Sequence, residues 1–157
     1  MTTSNLAEAR ITSSAAPAAF FAKWADMATW PEWNADTSWV RLDGPFATGS
    51  TGVLKPKGGP KTSFVLAKVS DDEFTDVSTL LGARLTFRHL VTVTSAGTDV
   101  AVAVTLAGPL ARVWNVILGK GIKATLQRDL EALKAHAESM QGIDTPADST
   151  AVAQVSA

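Results

Sequence analysis

Hydrophobic and polar positions alternate with two different periods along this chain, and the change of period divides it. From Thr37 to Ala107 the alternation is mostly of period two, broken by turn residues at short intervals. Thr37 to Leu42, Gly52 to Lys57, Thr62 to Ser70, Glu73 to Leu80, Ala83 to Thr94 and Thr98 to Ala107 each read as a strand. Asp43-Gly44-Pro45, Gly58-Gly59-Pro60, Asp71-Asp72, Leu81-Gly82 and Ala96-Gly97 separate them. Strands joined so closely pair antiparallel. Ala7 to Ser13 adds a weaker strand pattern, so six or seven strands are expected. Beyond residue 108 the period becomes 3.6. Leu118, Ile122, Leu126, Leu130, Leu133 and Ala137 form one stripe, opposite Lys120, Lys123, Arg128, Glu131, Lys134 and Glu138. The pattern predicts a single helix from Pro109 to Ser139, with Pro109 in the first turn and Gly142 just past the end. Such a helix spans roughly 45 Å, so it needs a broad surface to lie on.

The two last strands say which side of the sheet is dry. Leu85, Phe87, His89, Val91 and Val93 share one face, and Val100, Val102, Val104 and Leu106 share the matching one. In Thr62 to Ser70, Phe64 and Leu66 take one face, with Val65, Ala67 and Val69 near the other. Upstream, Phe20, Phe21, Trp24 and Met27 predict a helix over residues 17 to 27, with Ser13 or Ser14 as its cap. Trp30, Pro31, Trp33 and Asn34 predict a second short helix or turn, capped by Asp26 or Thr29. This aromatic group is either a small core or, through Trp30 or Trp33, the wall of a cavity mouth.

The expected architecture is therefore α+β: a curved antiparallel sheet gripping a long C-terminal helix, with two short N-terminal helices. Residues 1–139 form one domain, and residues 140–157, which lack periodicity, are expected to be a disordered tail. A sheet bent around a helix leaves a gap that apolar side chains or a ligand must fill. Phe64, Phe87, His89, Val102, Asn115, Leu118 and Ile122 are the expected lining.

Composition narrows the chemistry. The chain has 157 residues, enough for one sizeable core, and its net charge of −1 gives no overall basic field for nucleic acid or an anionic membrane. No cysteine is present, which removes disulfides, thiolate nucleophiles and thiolate zinc sites. Two separated histidines give no zinc spacing, and no cofactor is expected. Asp71-Asp72-Glu73 reads as a charged turn, and Lys55, Lys57 and Lys61 as a soluble loop. No phosphate loop, dinucleotide fingerprint or nucleophile elbow occurs. Met1 to Arg10 lacks a signal-peptide pattern and no apolar run is long enough to span a bilayer, so a cytoplasmic location is expected. There are five tryptophans and no tyrosine, so a pocket here has aromatic walls without a phenol donor.

His89 is the sole candidate for catalysis: on the dry face it is either a hydrogen-bonded core residue or a group that orients a ligand. Asp76 on the neighbouring strand can reach it only if the register allows. His136 lies near the water-facing side of the terminal helix. The early turns of that helix, with Leu110, Val113, Trp114, Val116, Ile117 and Leu118, are apolar nearly all round. They are covered by loops at a cavity entrance or by a second subunit, a homodimer through the Trp114 region.

The order strand, helix pair, six-strand run and long helix resembles the START-like, helix-grip superfamily. That superfamily includes the SRPBCC proteins, the polyketide cyclase/dehydrase and lipid-transport group. Local likenesses are Asp26 with Trp30-Pro31 and Trp33-Asn34, then Leu42-Asp43-Gly44-Pro45-Phe46 with Gly49, and Leu85 to His89. Gly97-Thr98, Gly108-Pro109-Leu110 and Leu130 to Ala135 complete them, over residues 6 to 139. The resemblance implies a deep hydrophobic cavity between sheet and helix that takes a small apolar or aromatic molecule. It also implies the alternatives of a polyketide cyclase or dehydratase-like enzyme and of a protein-interaction module. It carries no catalytic motif to this chain.

Overall fold

The computed structural model of the protein describes residues 3–144. Seven strands are present: β1 (Thr3–Ser13), β2 (Thr37–Asp43), β3 (Thr51–Pro56), β4 (Thr62–Val69), β5 (Glu73–Leu80), β6 (Ala83–Thr94) and β7 (Gly97–Ala107). They form one antiparallel sheet in the order β1-β7-β6-β5-β4-β3-β2. Helix α1 (Pro17–Ala25) and a 3₁₀ helix (Met27–Glu32) follow β1, and α2 (Ala111–Asp144) closes the fold. This is the helix-grip arrangement that the change of period predicts. The weak N-terminal pattern is a full strand, because pairing with β7 from Thr3↔Ala107 to Ser13↔Thr98 holds it along its length.

α2 starts two residues later than Pro109 and runs past Ser139, so Gly142 lies inside it rather than capping it. The later start follows from Gly108, whose φ of +120° turns the chain out of β7. A Cβ there would stand 2.8 Å from the Gly82 carbonyl oxygen, so this crossing suits glycine alone. The remainder of the expected tail, residues 145–157, lies outside the described residues.

Two other expectations are corrected by local geometry. Val69 lies on the inner face, not with Val65. A bulge at Ala67 lets Leu66 oppose Asp76 while Val69 opposes Phe74, which reverses the parity of the strand end. The expected helix caps are also not made. Neither α1 nor the 3₁₀ helix has a side-chain cap bond. Ser13 and Ser14 instead bind Glu138 of α2: the Ser13 hydroxyl donates to Oε2 at 2.7 Å and the Ser14 N–H at 3.2 Å. Those donors hold the Glu138 carboxyl below its usual range and fasten the end of β1 to the last part of α2.

The core lies between the concave face and the helices. Phe20, Trp24, Phe74, Leu66, Val100, Val104 and Leu106 are sealed from solvent, with Leu133 and Ala137 of α2. Each such large apolar side chain contributes about 1.5–3 kcal/mol by leaving water. Gly52 lets one of the inner rings lie flat, since any Cβ there would collide with the Phe64 ring across the β3–β4 pair. Among the described residues no helix is long and apolar enough to cross a membrane.

Candidate functional site

Register decides which side chains share the concave face, because residues directly opposite in an antiparallel ladder project to the same side. Leu66, Asp76, Phe87 and Val104 form one row across β4, β5, β6 and β7. Val69, Phe74, His89 and Val102 form the next row toward α1. Phe64, Ser78, Leu85 and Leu106 form the row on the other side. The four expected sheet residues, Phe64, Phe87, His89 and Val102, thus all face inward. They are not equally available: Phe64 and Val102 are buried in the core, whereas Phe87 is half-buried.

His89 sits in an aromatic stack. Its ring lies on Phe74 with centroids 4.6 Å apart and planes 16° apart, and Trp24 stands 5.0 Å away. Nδ1 is 2.9 Å from the Phe74 carbonyl oxygen. A carbonyl only accepts, so Nδ1 carries the proton and Nε2 is the acceptor. Nε2 makes no hydrogen bond to another described residue. Burial lowers the His89 pKa to about 4, against the smaller raising effect of the Phe74 carbonyl. The imidazole is therefore neutral at pH 7.

The register also answers whether Asp76 serves His89. Asp76 opposes Phe87, and His89 opposes Phe74. The two are diagonal neighbours, roughly 7–8 Å apart by ladder geometry, and no hydrogen bond joins them. Asp76 is buried all the same, and it accepts no hydrogen bond and joins no ion pair among the described residues. Burial alone raises its pKa to about 7. Glu73 on the same strand shows what an ordinary structural carboxylate looks like here. Thr75 donates to it at 2.7 Å, and Arg88 and Lys68 pair with it at 3.3 and 3.4 Å. The Thr75 hydroxyl, with help from the cations, holds Glu73 below its usual range. Asp76 has no such company; among the described residues the side-chain polar atoms sealed from solvent without a partner are the indole N–H groups of Trp24 and Trp33, so solvent still touches the Asp76 carboxyl. The sequence marks Asp76 only as a partner for His89. A signal was present: Glu73 and Asp76 have opposite parity on one strand, and Asp76 shares Phe74's.

The helix contributes the opposite wall. Asn115, Leu118 and Ile122 follow one another on a single face of α2, and all three remain half-buried, as does Leu126 one turn on. The Asn115 side chain lies over Gly119 and makes no hydrogen bond to another described residue. Further along, Leu130, Leu133 and Ala137 are buried. The difference follows from how α2 lies: it packs chiefly on β1, more lightly on β7 and β6, with no comparable packing on β3, β4 or β5. The concave face of those strands, with half-buried Leu54 and Leu80 beside half-buried Leu42 of β2, is not covered by the helix to the same degree.

Two surface depressions lie elsewhere. One of about 370 Å³ is lined by Pro17, Phe21, Phe46, Val69 and Asp71, and one of about 390 Å³ by Arg10, Thr12, Gln127, Glu131 and Glu138. Neither contains any of the seven expected lining residues. Among the described residues no three His, Asp or Glu side chains converge as a metal set.

Trp114 is half-buried, and its indole N–H donates to the Leu81 carbonyl at 2.8 Å. It ties the β5–β6 turn to the start of α2 and leaves its neighbours Val113, Val116 and Ile117 exposed.

The family model for polyketide cyclase/dehydrase and lipid transport matches residues 6–138. No curated protein matches the sequence. Solved structures of the same fold include the Zhui aromatase/cyclase from Streptomyces sp. R1128, with a TM-score of 0.70 at 11% identity over 87% of this chain and 94% of that one. The di-domain aromatase/cyclase StfQ of the steffimycin biosynthetic pathway gives 0.69 at 16% identity over 86% of this chain. This chain spans about half of that protein, 51% of its length. Norcoclaurine synthase from Thalictrum flavum, solved with dopamine and hydroxybenzaldehyde, gives 0.64 at 10% identity over 85% of this chain and 86% of that one. With its strand order, its long helix and a family match over nearly the whole described domain, this chain belongs to the polyketide cyclase/dehydrase and lipid transport family of the SRPBCC superfamily.

Proposed function

We propose that the protein binds a small, largely apolar molecule in the groove between the first half of α2 and the concave face of β3 to β6. Asp76 is its polar contact. One observation carries this reading: a buried carboxyl without a protein partner stands beside half-buried apolar side chains from the sheet. A polar group in such a place needs a partner, and a ligand hydroxyl or amine is one. Phe87, Leu118 and Ile122 supply the apolar contact, and Asn115 a second polar group. His89 is assigned to the wall behind them, because its Nδ1 proton is already used by Phe74.

The enzyme reading has one specific support, the Asp76 pKa of about 7. A carboxyl poised there exchanges protons readily at neutral pH, as a cyclisation or dehydration of a polyketide-type substrate requires.

The test is a titration with 2-naphthol and with naphthalene, followed by NMR shifts of the groove residues. The wild type should prefer 2-naphthol, Asp76→Leu should lose that preference, and Ile122→Trp should block both. Unchanged binding in Ile122→Trp would place the site elsewhere. For the enzyme reading, turnover of an aromatic-forming polyketone thioester must disappear in Asp76→Asn. Turnover surviving that change removes Asp76 from the chemistry.

A further inference from the structure

We infer that the end of the molecule formed by the β5–β6 turn and the first turns of α2 docks on an anionic phospholipid bilayer. Among the described residues, five of the eight exposed large apolar side chains lie there. Val116 is 85% exposed, Leu81 80%, Ile117 60% and Val113 52%, with Leu110 beside them. A globular surface seldom gathers so many without a use. They come from two elements held together firmly. The Leu110 N–H donates to the Gly82 carbonyl at 2.9 Å, and Trp114 clamps Leu81 as described. The patch is thus part of the built structure, not a loose end.

The charge around the patch selects the partner. Arg84, Arg112, Lys120 and Lys123 are all exposed. Neither Leu80 to Arg84 nor Gly108 to Ala124 contains a carboxylate. The net charge of −1 hides this local basic end. A second copy would meet the patch through a two-fold axis and bring the same cations face to face. An anionic bilayer offers an apolar interior beneath a negative surface, and both parts of the patch find their complement in it. The spacing along α2 agrees. Lys120 and Lys123 follow Ile117 by roughly 5 and 9 Å along the axis. With Val116 and Ile117 at the acyl boundary, the lysines reach the phosphate level, and Arg112, about 6 Å deeper along the axis, extends its long side chain back to it. The docked end also carries Leu118 and Ile122 on the neighbouring face of α2, so it brings the groove close to the bilayer.

Co-sedimentation of the full chain with vesicles tests this. One set is phosphatidylcholine alone, and the other is phosphatidylcholine mixed with phosphatidylglycerol. Binding should appear with the mixed vesicles and weaken as salt rises. Lys120→Gln with Lys123→Gln should lower partitioning roughly 10- to 30-fold, at about 1 kcal/mol per cation. Val116→Ser with Ile117→Ser should lower it at least about tenfold. All four positions are exposed, and unchanged melting curves will confirm intact folding. Equal binding to both vesicle types, or none to either, overturns the proposal. So does a dimer in light scattering that the Val116 and Ile117 changes dissolve while vesicles are ignored. Binding of an acidic protein instead of vesicles, lost in the same variants, likewise overturns it in favour of a protein partner.

Discussion

The two ends of the interface between α2 and the sheet are built from the same residue types and finish differently. Toward α1, Leu130, Leu133 and Ala137 of the helix and Trp24, Phe20, Phe74 and His89 opposite are buried. Toward the β5–β6 turn, Leu118, Ile122 and Leu126 of the same stripe are half-buried, and Phe87 of the same strand face is half-buried with them. The hydrophobic pattern does not distinguish the ends. What does is a third layer: α1 packs against α2 and covers the first end with rings, whereas at the second end Phe64, Leu85 and Leu106 are buried but no helix lies over Phe87 in the same way. A regular stripe therefore states where a helix faces the sheet, not whether the space between them is full. Polar groups without a protein partner occur at both ends: the Trp24 indole N–H at the first, and Asp76 and Asn115 at the second.

Truncation should separate the two ends most sharply. Trp24→Ala removes a fully buried ring that touches Phe20, Phe21, Phe74 and His89, and should cost about 3–5 kcal/mol. Phe87→Ala at the open end should cost only about 1–2 kcal/mol, since solvent already reaches that ring. Urea unfolding of both variants measures the contrast. Equal costs would mean that the second end is packed as tightly as the first.

The acid at one end and the imidazole at the other make a proton-balance test. Asp76 is raised from 3.8 to about 7, and His89 is lowered from 6.5 to about 4. Between about pH 4 and 6.5 the folded protein holds the proton on Asp76 and the unfolded chain holds it on His89. Each state binds one, so this pair contributes almost no slope of stability with pH. Asp76→Asn should uncover the histidine. Stability then falls as pH drops from 6.5 toward 4, by up to about 3 kcal/mol at roughly 1.4 kcal/mol per pH unit. His89→Phe should uncover the acid. Stability then falls as pH rises from about 4 to 7, by up to about 4 kcal/mol. Glu73 and Glu138, both lowered, and Asp129, raised to about 6 by burial, give a background common to all three proteins. Melting across pH checks the signs. Parallel curves for wild type and both variants would show that neither group is as buried as the fold places it.

The fold was legible in the sequence because periodicity reports burial directly. Six strand ranges and the inward stripe of α2 follow from it with errors of a residue or two. The site was less legible, for reasons visible in particular residues. Alternation puts His89 on the inner face, yet whether its ring nitrogen is free depends on the Phe74 carbonyl, a backbone atom that no pattern marks. Asp76 needed the β5–β6 register before it could be separated from His89. Val69 needed the bulge at Ala67, which period-two counting cannot detect. The caps expected of Ser13 and Ser14 are absent because the helix starts later, with Ala16 at the cap position; Ser13 Oγ accepts from the Ala15 N–H and donates to Glu138, 125 residues further along.

The smallest expected effect concerns the clamp at the open end. Trp114→Phe keeps most of the ring body and removes only the N–H that reaches the Leu81 carbonyl at 2.8 Å. That bond is exposed, so water replaces the lost donor, and global stability should fall by no more than about 0.5–1.5 kcal/mol. The local effect should exceed the global one. Leu81 lies in the turn, and the Leu110 N–H that bonds to Gly82, with the Leu110 side chain packed over it, is a second link between turn and helix. Without the clamp, amide exchange at Leu110 should quicken roughly five- to tenfold, as a loss of about 1 kcal/mol in local opening implies. Amides of β6 and β7 near Val91 and Val100, in the filled end, should be unaffected beyond the small global change. Equal acceleration at both ends would show that the two ends open as one unit, and that their difference in packing is not a difference in stability.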